Sequence, residues 1–285
     1  FYKNLAISDL YEPGSVFKPL IVAAALEEKK IKPEDTYNET GQITVGEYNI
    51  KTWNDKYEGK ISMTRILEKS SNVGMVYIGE KLGNKNIYKY LQKYGFGQNT
   101  GIDLEGEASG YLKPKVNWYP IDYATVTFGQ GIAITPIQMI RAFASIINGG
   151  YLMKPYIVQK IISKNKITEI KPQVERRVVS QMTSEIIRKM LISTVENAEA
   201  KWDRPKGFLI GGKTGTAQVP IKGIYDASKT IASFIGFAPA NNPKFLTFVV
   251  LYEPQSSQWG SETAAPLFFE ITKDLIVYYG ISPSQ

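Results

Sequence analysis

The 285-residue chain contains no cysteine and no histidine. Without cysteine there is no thiol nucleophile, no disulfide and no thiolate metal site. Without histidine the Ser-His-Asp triad and most zinc sites are excluded, so any general base is Asp, Glu, Lys or Tyr. Long apolar runs are also missing: "LIVAAAL" and "FLTFVVLY" are the longest, far short of a bilayer span. The chain opens at Phe1 in mid-pattern and reads as an excised piece, so this shortage says nothing of a membrane anchor in the parent. No block of Lys and Arg and no basic-aromatic interleaving suggests nucleic acid, despite a net charge of +7. The excess fits a solvated basic surface, or attraction to an anionic membrane surface, an acidic polymer or a carboxylate substrate. With 43% hydrophobic and 21% charged residues the composition is globular, long enough for one large domain or a domain with a subdomain.

What is present divides into helices early and strands late. A Pro-Gly turn in "YEPGS" precedes an Ala-rich helix expected over residues 15–30, with Pro19 in its first turn. A loop-rich stretch follows, with a short hairpin at 43–50. Helices are expected at "SMTRILEKS", "NVGMVYIGEKLG" and "NKNIYKYLQKYG", and another from Pro136 to the stop at Gly149 and Gly150. "PYIVQKIISKNKITEI" predicts two short strands around a turn, and "SEIIRKMLISTVENA" an amphipathic helix. "GFLIGGKTGTAQV", "TIASFIGFAP" and "KFLTFVVLYEP" read as three strands, closed by an apolar helix in "AAPLFFEITKDLIVYYG". No repeat or low-complexity linker interrupts the pattern, which is α+β with an antiparallel sheet late in sequence.

One stretch has two readings. In "GFLIGGKTGTAQ", Gly207, Gly212, Lys213 and Thr214 complete a G-x-x-x-x-G-K-T phosphate loop. Such a loop needs a buried strand before it and a helix straight after it, whose N-terminus meets the phosphates. Here the polar "KWDRPK" precedes it, the apolar "FLI" lies inside it, and "GTAQVPIKG" follows with Gly and Pro. No clear apolar strand ending in Asp lies downstream to hold magnesium. The phosphate loop is rejected.

A serine nucleophile without histidine needs a lysine held neutral by its surroundings, and Ser and Lys three apart on a helix share a face. S-x-x-K occurs at Ser15/Lys18 and at Ser163/Lys166. The second copy lies in the polar "ISKNKI" and reads as a hairpin turn. The first opens a helix, where the serine N–H is free and the dipole favours developing negative charge. A mere cap and a solvated lysine fit poorly on so apolar a helix. "SSN", Ser70 to Asn72, breaks two helices with a polar trio that ordinary capping would also explain. "KTGT", Lys213 to Thr216, lies on a strand, either as a solvated edge or where Gly215 lets a substrate backbone approach. In the order S-x-x-K, S-x-N, K-T-G, these make up the motif set of penicillin-binding proteins and class A β-lactamases.

The chain resembles the transpeptidase domain of class B penicillin-binding proteins nearly end to end. The likeness extends to "YEPGSVFKP", "LEKSSNVGM", "GIDLEGEASG", "FGQGIAITPIQM", "NGGYLMKPYIV" and "GGKTGTAQ", and the tail "LYEPQSSQWGSETAAPLF" is nearer the septal, cell-division branch than the elongation branch. The resemblance implies the penicillin-binding-protein/serine β-lactamase-like fold, an antiparallel sheet flanked by helices plus an all-helical subdomain. Residues 1–285 would be an N-terminally truncated transpeptidase domain, with about 30–200 a helical region inserted between the Ser15 helix and the C-terminal strands. It further implies that Ser15 is the acylated nucleophile and Lys18 its base, made neutral by burial and by the like charge of Lys213. Ser70 would relay a proton to the leaving group, and Asn72 would hold the substrate amide and Lys18. The backbone N–H groups of Ser15 and Thr216 would form the oxyanion hole. Lys213, Thr214 and Thr216, with Gly215 between, would bind the terminal D-alanine carboxylate.

The implied reaction is acyl transfer from D-Ala-D-Ala to an amine of a neighbouring stem peptide, with no cofactor, and β-lactams would mimic the donor. Implied partners are peptidoglycan stem peptides, β-lactams, a membrane-embedded glycan polymerase and other cell-division proteins, with no nucleic acid. The implied place is the extracytoplasmic face of the bacterial cytoplasmic membrane, anchored by an N-terminal segment outside this sequence. In the family a pair of sheet strands precedes the S-x-x-K helix, whereas 14 residues precede Ser15 here. The resemblance therefore implies missing strands, unless another chain or segment supplies them, and predicts an exposed edge beside "GFLIGGKTG" or the C-terminal strands. A serine β-lactamase or β-lactam sensor would share the motifs but need a deacylating base, a placed Glu or a modified Lys18. A D,D-carboxypeptidase would use water as acceptor, and a non-catalytic division scaffold would keep the fold alone.

Overall fold

In the computed structural model, which describes residues 3–164, 166–221 and 224–283, the chain alternates short helices and ribbons before its three long strands. Helix α1 (Leu5–Ser8) leads to a 3₁₀ turn (Gly14–Phe17) that runs into α2 (Lys18–Glu27). Strands β1 (Thr36–Glu39), β2 (Ile43–Val45), β3 (Tyr48–Ile50) and β4 (Gly59–Ser62) follow. Next come α3 (Met63–Lys69), α4 (Asn72–Leu82), α5 (Asn84–Lys93), α6 (Pro120–Val126) and α7 (Pro136–Ile147). Strands β5 (Tyr151–Lys154), β6 (Lys160–Ser163), β7 (Lys166–Glu169) and β8 (Gln173–Arg177) precede α8 (Gln181–Glu196). The last elements are β9 (Gly211–Ile221), β10 (Ile224–Ala238), β11 (Phe245–Tyr252) and α9 (Ala264–Tyr278).

The sequence "KPLIVAAALE" of α2 has no polar face, and a helix apolar all round belongs inside. Residues 18 to 26 are accordingly all buried, with α4, α5, α7 and α8 packed around them. The end of α2 is tied to the start of α8: Glu27 accepts hydrogen bonds from the Ser180 backbone N–H and hydroxyl, each 2.8 Å long. Helix α7 starts where Pro136 follows Thr135, whose hydroxyl and Gln138 form a reciprocal capping box.

The sheet is antiparallel in the order β11-β10-β9, with Lys213 opposite Ile235 and Gly215 opposite Ser233. Alternation along β10 sends Phe234 into an apolar cluster with Phe268 and Phe269 of α9. Ile235 and Phe237 enter the cluster built on α2, where Phe237 meets Phe143 of α7. The sheet is thus sandwiched between α9 and the helical core. Beyond β9 lies the 3₁₀ turn, and beyond β11 no further strand pairs among the described residues.

Several details differ from the sequence reading. The helix expected over 15–30 is a 3₁₀ turn followed by ten α-helical residues, because Pro19 at the second α-helical position lacks the N–H that would extend the α pattern backwards. The strand expected through "GFLIGG" starts only at Gly211, and that in "PYIVQK" only at Lys160. The region 30–200 is not all-helical: it carries the two-stranded ribbons β1–β4, β2–β3, β5–β8 and β6–β7. Of these, β2–β3 and β6–β7 are the hairpins expected at 43–50 and in "PYIVQKIISKNKITEI", whereas β1–β4 and β5–β8 were not expected, their strands of four or five residues being too short to give a clear period of two. Residues 222–223, between β9 and β10, lie outside the described residues.

Candidate active site

Ser15 is presented by a turn that glycines allow. Gly14 has φ +60°, a left-handed conformation that costs glycine little, and its N–H donates to the Gly129 carbonyl at 3.0 Å. A Cβ on Gly129 would run into the Gly14 backbone, 2.7 Å from its nitrogen. The block "FGQGIAI" thereby clamps "YEPGS" from behind, helped by paired hydrogen bonds between Tyr11 and Ile134. Three residues on, Lys18 is the first residue of α2 and wholly buried.

Ser70 ends α3 in the left-handed region, φ 56°, which is costly for a residue with a Cβ. That conformation turns both its carbonyl and its hydroxyl toward Lys18, whose Nζ lies 2.6 Å from Ser70 O and 3.1 Å from Ser70 Oγ. Ser71 caps α4 by accepting from the Gly74 N–H at 2.9 Å. Asn72 spends its amide N–H on the Lys51 carbonyl at 3.1 Å, so its Oδ1 faces Lys18 Nζ at 2.8 Å. From β9, Lys213 Nζ reaches Ser70 Oγ at 3.0 Å, Thr214 O at 3.1 Å and Thr214 Oγ1 at 3.2 Å.

Two lysines thus share one hydroxyl. Burial first, and the like charge of Lys213 second, push Lys18 well below the ordinary lysine range, while Glu39 pulls the other way. Burial brings Lys213 down to about 7. Lys18 carries both penalties, so it is the neutral member. Donor accounting agrees: a charged Lys213 has three protons for its three acceptors. A neutral Lys18 has two, for Ser70 O and Asn72 Oδ1, and its lone pair accepts the Ser70 hydroxyl proton. No hydrogen bond links Lys18 to the Ser15 hydroxyl among the described residues; such contacts commonly tighten only when substrate binds.

These groups open into a cleft of about 440 Å³ lined by Ser15, Ser70, Asn72, Lys213, Thr214, Gly215 and Thr216. The outer edge of β9 runs along it. Thr216 Oγ1 accepts from the Gly260 N–H at 3.1 Å, which leaves its own proton to donate. Trp53 and Trp259 meet in the cleft wall with ring centroids 5.1 Å apart, and Trp202 lines it too, donating to the Ser261 carbonyl at 2.8 Å.

Ser15, Ser70, Asn72, Lys213, Thr214, Gly215 and Thr216 therefore line one cleft, and Lys18 lies buried behind it against Ser70 and Asn72. Ser163 and Lys166 stand apart, on the β6–β7 hairpin. Lys213 is not a solvated edge residue but 3% exposed. Gly215 also has a packing reason that was not expected: a Cβ there would strike Ser233 Oγ and come within 2.9 Å of Val16 Cγ1. Its smallness lets the Ser15 turn pack against the strand. The sequence reading missed Glu39, Trp53, Trp202, Trp259 and Gly260; lone tryptophans in the polar stretches "IKTWNDK", "AKWDRPK" and "SSQWGSE" were the only local signal.

Comparison with known proteins points the same way. The penicillin binding protein transpeptidase domain family matches residues 1–273. Stage V sporulation protein D of Bacillus subtilis is 38% identical over 290 residues, covering 100% of this chain and 45% of that protein. A peptidoglycan D,D-transpeptidase FtsI homolog of Mesostigma viride is 34% identical, covering 99% of this chain and 52% of its own length. This chain thus spans about half the length of those relatives. Among solved structures, the apo transpeptidase domain of Burkholderia pseudomallei penicillin-binding protein 3 superposes with TM-score 0.89 at 28% identity, covering 99% of this chain and 84% of that one. Penicillin-binding protein 3 of Mycobacterium tuberculosis in complex with aztreonam gives 0.87 at 29%, covering 99% and 66%.

Proposed function

This chain belongs to the penicillin-binding protein transpeptidase family, and on that premise we propose that it is a serine D,D-transpeptidase domain that cross-links peptidoglycan stem peptides through a Ser15 acyl-enzyme. One observation carries the reading: Ser70 Oγ sits between Lys18 and Lys213, 3.1 and 3.0 Å away, in the cleft that also holds Ser15. In this reading the charged Lys213 and the Thr214 and Thr216 hydroxyls take the terminal carboxylate of D-Ala-D-Ala. The penultimate carbonyl enters between the Ser15 and Thr216 N–H groups, which stabilise its developing oxyanion. Neutral Lys18 takes the Ser15 proton as Oγ attacks. The proton passes through Ser70 to the nitrogen of the departing D-alanine as the peptide bond breaks. An acceptor amine then attacks the ester, gives up a proton by the same route and restores Ser15. No step needs a cofactor.

β-Lactams, bound by the Mycobacterium tuberculosis relative in the case of aztreonam, would acylate Ser15 in the same way. The carboxylates lining the cleft are already hydrogen-bonded: Glu68 to Arg65, Ser193 and Asn197, Glu199 to Lys69, and Glu262 to Ser257. That favours an amine acceptor over a carboxylate-activated water, and so a transpeptidase over a β-lactamase. The intact lysine-serine relay favours an enzyme over a scaffold. We further assign residues 1–285 to one transpeptidase domain with an insert at about 30–200, acting in septal synthesis on the extracytoplasmic side of the membrane. No described helix is long and apolar enough to cross a membrane, so the proposed anchor is a segment outside this sequence. A membrane-embedded glycan polymerase and division proteins are the proposed partners. Intact mass after incubation with benzylpenicillin tests the reading: one stable adduct is expected on the parent and none on Ser15→Ala. An equal adduct on Ser15→Ala sinks it, and rapid loss of the parent's adduct turns it toward a β-lactamase.

A further inference from the structure

Among the described residues the relay leaves one buried acidic side chain unused. Glu39 ends β1, opposite Gly59 of β4, and is 3% exposed. It does not line the cleft, and no lysine or arginine lies within salt-bridge distance among the described residues. A buried carboxylate without a contacting cation is costly, and substitution by an apolar residue would commonly relieve that cost. Its hydrogen-bond donor is the Ser71 hydroxyl. Ser71 is the middle residue of the S-x-N motif, and its oxygen simultaneously accepts the Gly74 N–H that caps α4. The single Ser71 proton is thus directed at Glu39, and this pair pins the short link between left-handed Ser70 and helical Asn72.

We propose that Glu39 is a positioning residue of the acyl-transfer site, fixing through Ser71 the turn that presents Ser70 and Asn72 to Lys18 and favouring with its charge the protonated form of buried Lys18. The inference rests on the acyl-enzyme reading above. Ser70 and Asn72 supply all the acceptors that Lys18 contacts, so a displacement of this turn disturbs the relay as a whole. The titratable groups facing this arrangement are Lys18 of α2, Lys213 of β9 and Tyr37 of β1, with Tyr77 and Glu80 of α4 behind Tyr37. Among them Glu39 alone holds a proton on Lys18 against burial and against Lys213. A neutral glutamine keeps the shape and an acceptor for Ser71 but removes that charge. Lys18 should then lose its proton at lower pH and become a weaker base.

The test is the second-order rate constant for Ser15 acylation by a fluorescent penicillin, followed against pH in the natural full-length chain. With Glu39→Gln the acidic limb should move down by about half a pH unit or more. The plateau should also fall, so that the two profiles cross. A purely structural role would scale the profile without moving its limb. A Glu39→Gln profile that superimposes on the parent's, or runs parallel to it, overturns the inference. Should Glu39→Gln fail to fold by circular dichroism, Ser71→Ala decides: acylation about tenfold slower or more supports the proposal, and an unchanged rate overturns it. If the unmodified protein itself forms no Ser15 adduct, the acyl-enzyme reading fails and this inference falls with it. An adduct with an unmoved profile defeats this inference alone.

Discussion

At residues 15–18 the pattern S-x-x-K spans a 3₁₀ turn and the first residue of α2, whereas at 163–166 it spans the tip of the β6–β7 hairpin. In the first pair Ser15 lines a cleft, and the Lys18 amine is buried and bonded to Ser70 and Asn72. The second pair lies exposed across the hairpin, and Ser163 Oγ merely donates to the Lys166 carbonyl at 3.1 Å. In a 3₁₀ turn residues three apart stack on one side, while across a hairpin tip they are joined through backbone. The same letters therefore place a buried amine beside a cleft only where the turn runs into a core helix that strips water from the amine.

The strongest way to break this contrast is to remove each amine in turn. Lys18→Met should slow acylation by about 10²–10⁴-fold, the range for a general base. Lys166→Met should leave the rate unchanged. A benzylpenicillin assay giving similar rates for both would erase the distinction.

Titration sharpens it next. Lys213 is charged below about pH 7 in the folded protein and becomes neutral above. Carboxylate capture should therefore weaken, and the second-order acylation constant for a penicillin fall, as pH rises through that value. The stability effect has the opposite sense. Between about 7 and the ordinary lysine value of 10.5, the folded chain holds fewer protons than the unfolded one, so this residue's contribution to stability grows with pH. That contribution is complete above 10.5 and is lost as pH falls toward 7. Urea denaturation of the parent and Lys213→Met should show the parent gaining stability relative to the variant over this window. A constant difference would mean that Lys213 is not desolvated.

A smaller effect is expected at Gly260. A Cβ there would strike the Gly215 and Ser233 carbonyls and approach Ser233 N to 3.0 Å, so the loop must retreat from Thr216 and carry Trp259 with it. Gly260→Ala should slow acylation about tenfold while leaving Ser15 the modified residue, as mass mapping would show. The smallest effect belongs to Ser163→Ala, which should leave acylation unaltered and stability within about 0.5 kcal/mol. A larger loss would show that the hairpin matters to the cleft.

How much could be read beforehand follows from the same contrast. The long apolar segments of α2, α8, α9 and β9–β11 were legible because each repeats a period over enough residues to be distinctive. Of the four ribbons, β2–β3 and β6–β7 were legible as local hairpins, whereas β1–β4 and β5–β8 were not, because their paired strands lie far apart in sequence and are held by what packs on them. Ser15, Lys18, Ser70, Asn72 and Lys213 were legible as motifs. The burial of Lys213 was not, since its neighbours Gly212 and Thr214 look like any strand edge, and its cover comes from residues far along the chain. Glu39 was invisible for the same reason: Ser71, which gives it meaning, is 32 positions away.

The aromatic wall has a practical side. Of the four tryptophans in the chain, three, Trp53, Trp202 and Trp259, line the cleft, and two of them touch in its wall. Only Trp118 lies elsewhere, packed against Tyr88 and Tyr123. Most of the protein's intrinsic ultraviolet emission thus originates around this cleft. Occupation of the cleft by a substrate or an acylating drug changes the surroundings of those indoles and leaves the remaining one untouched, so the unlabelled protein is its own optical gauge of when the cleft is filled.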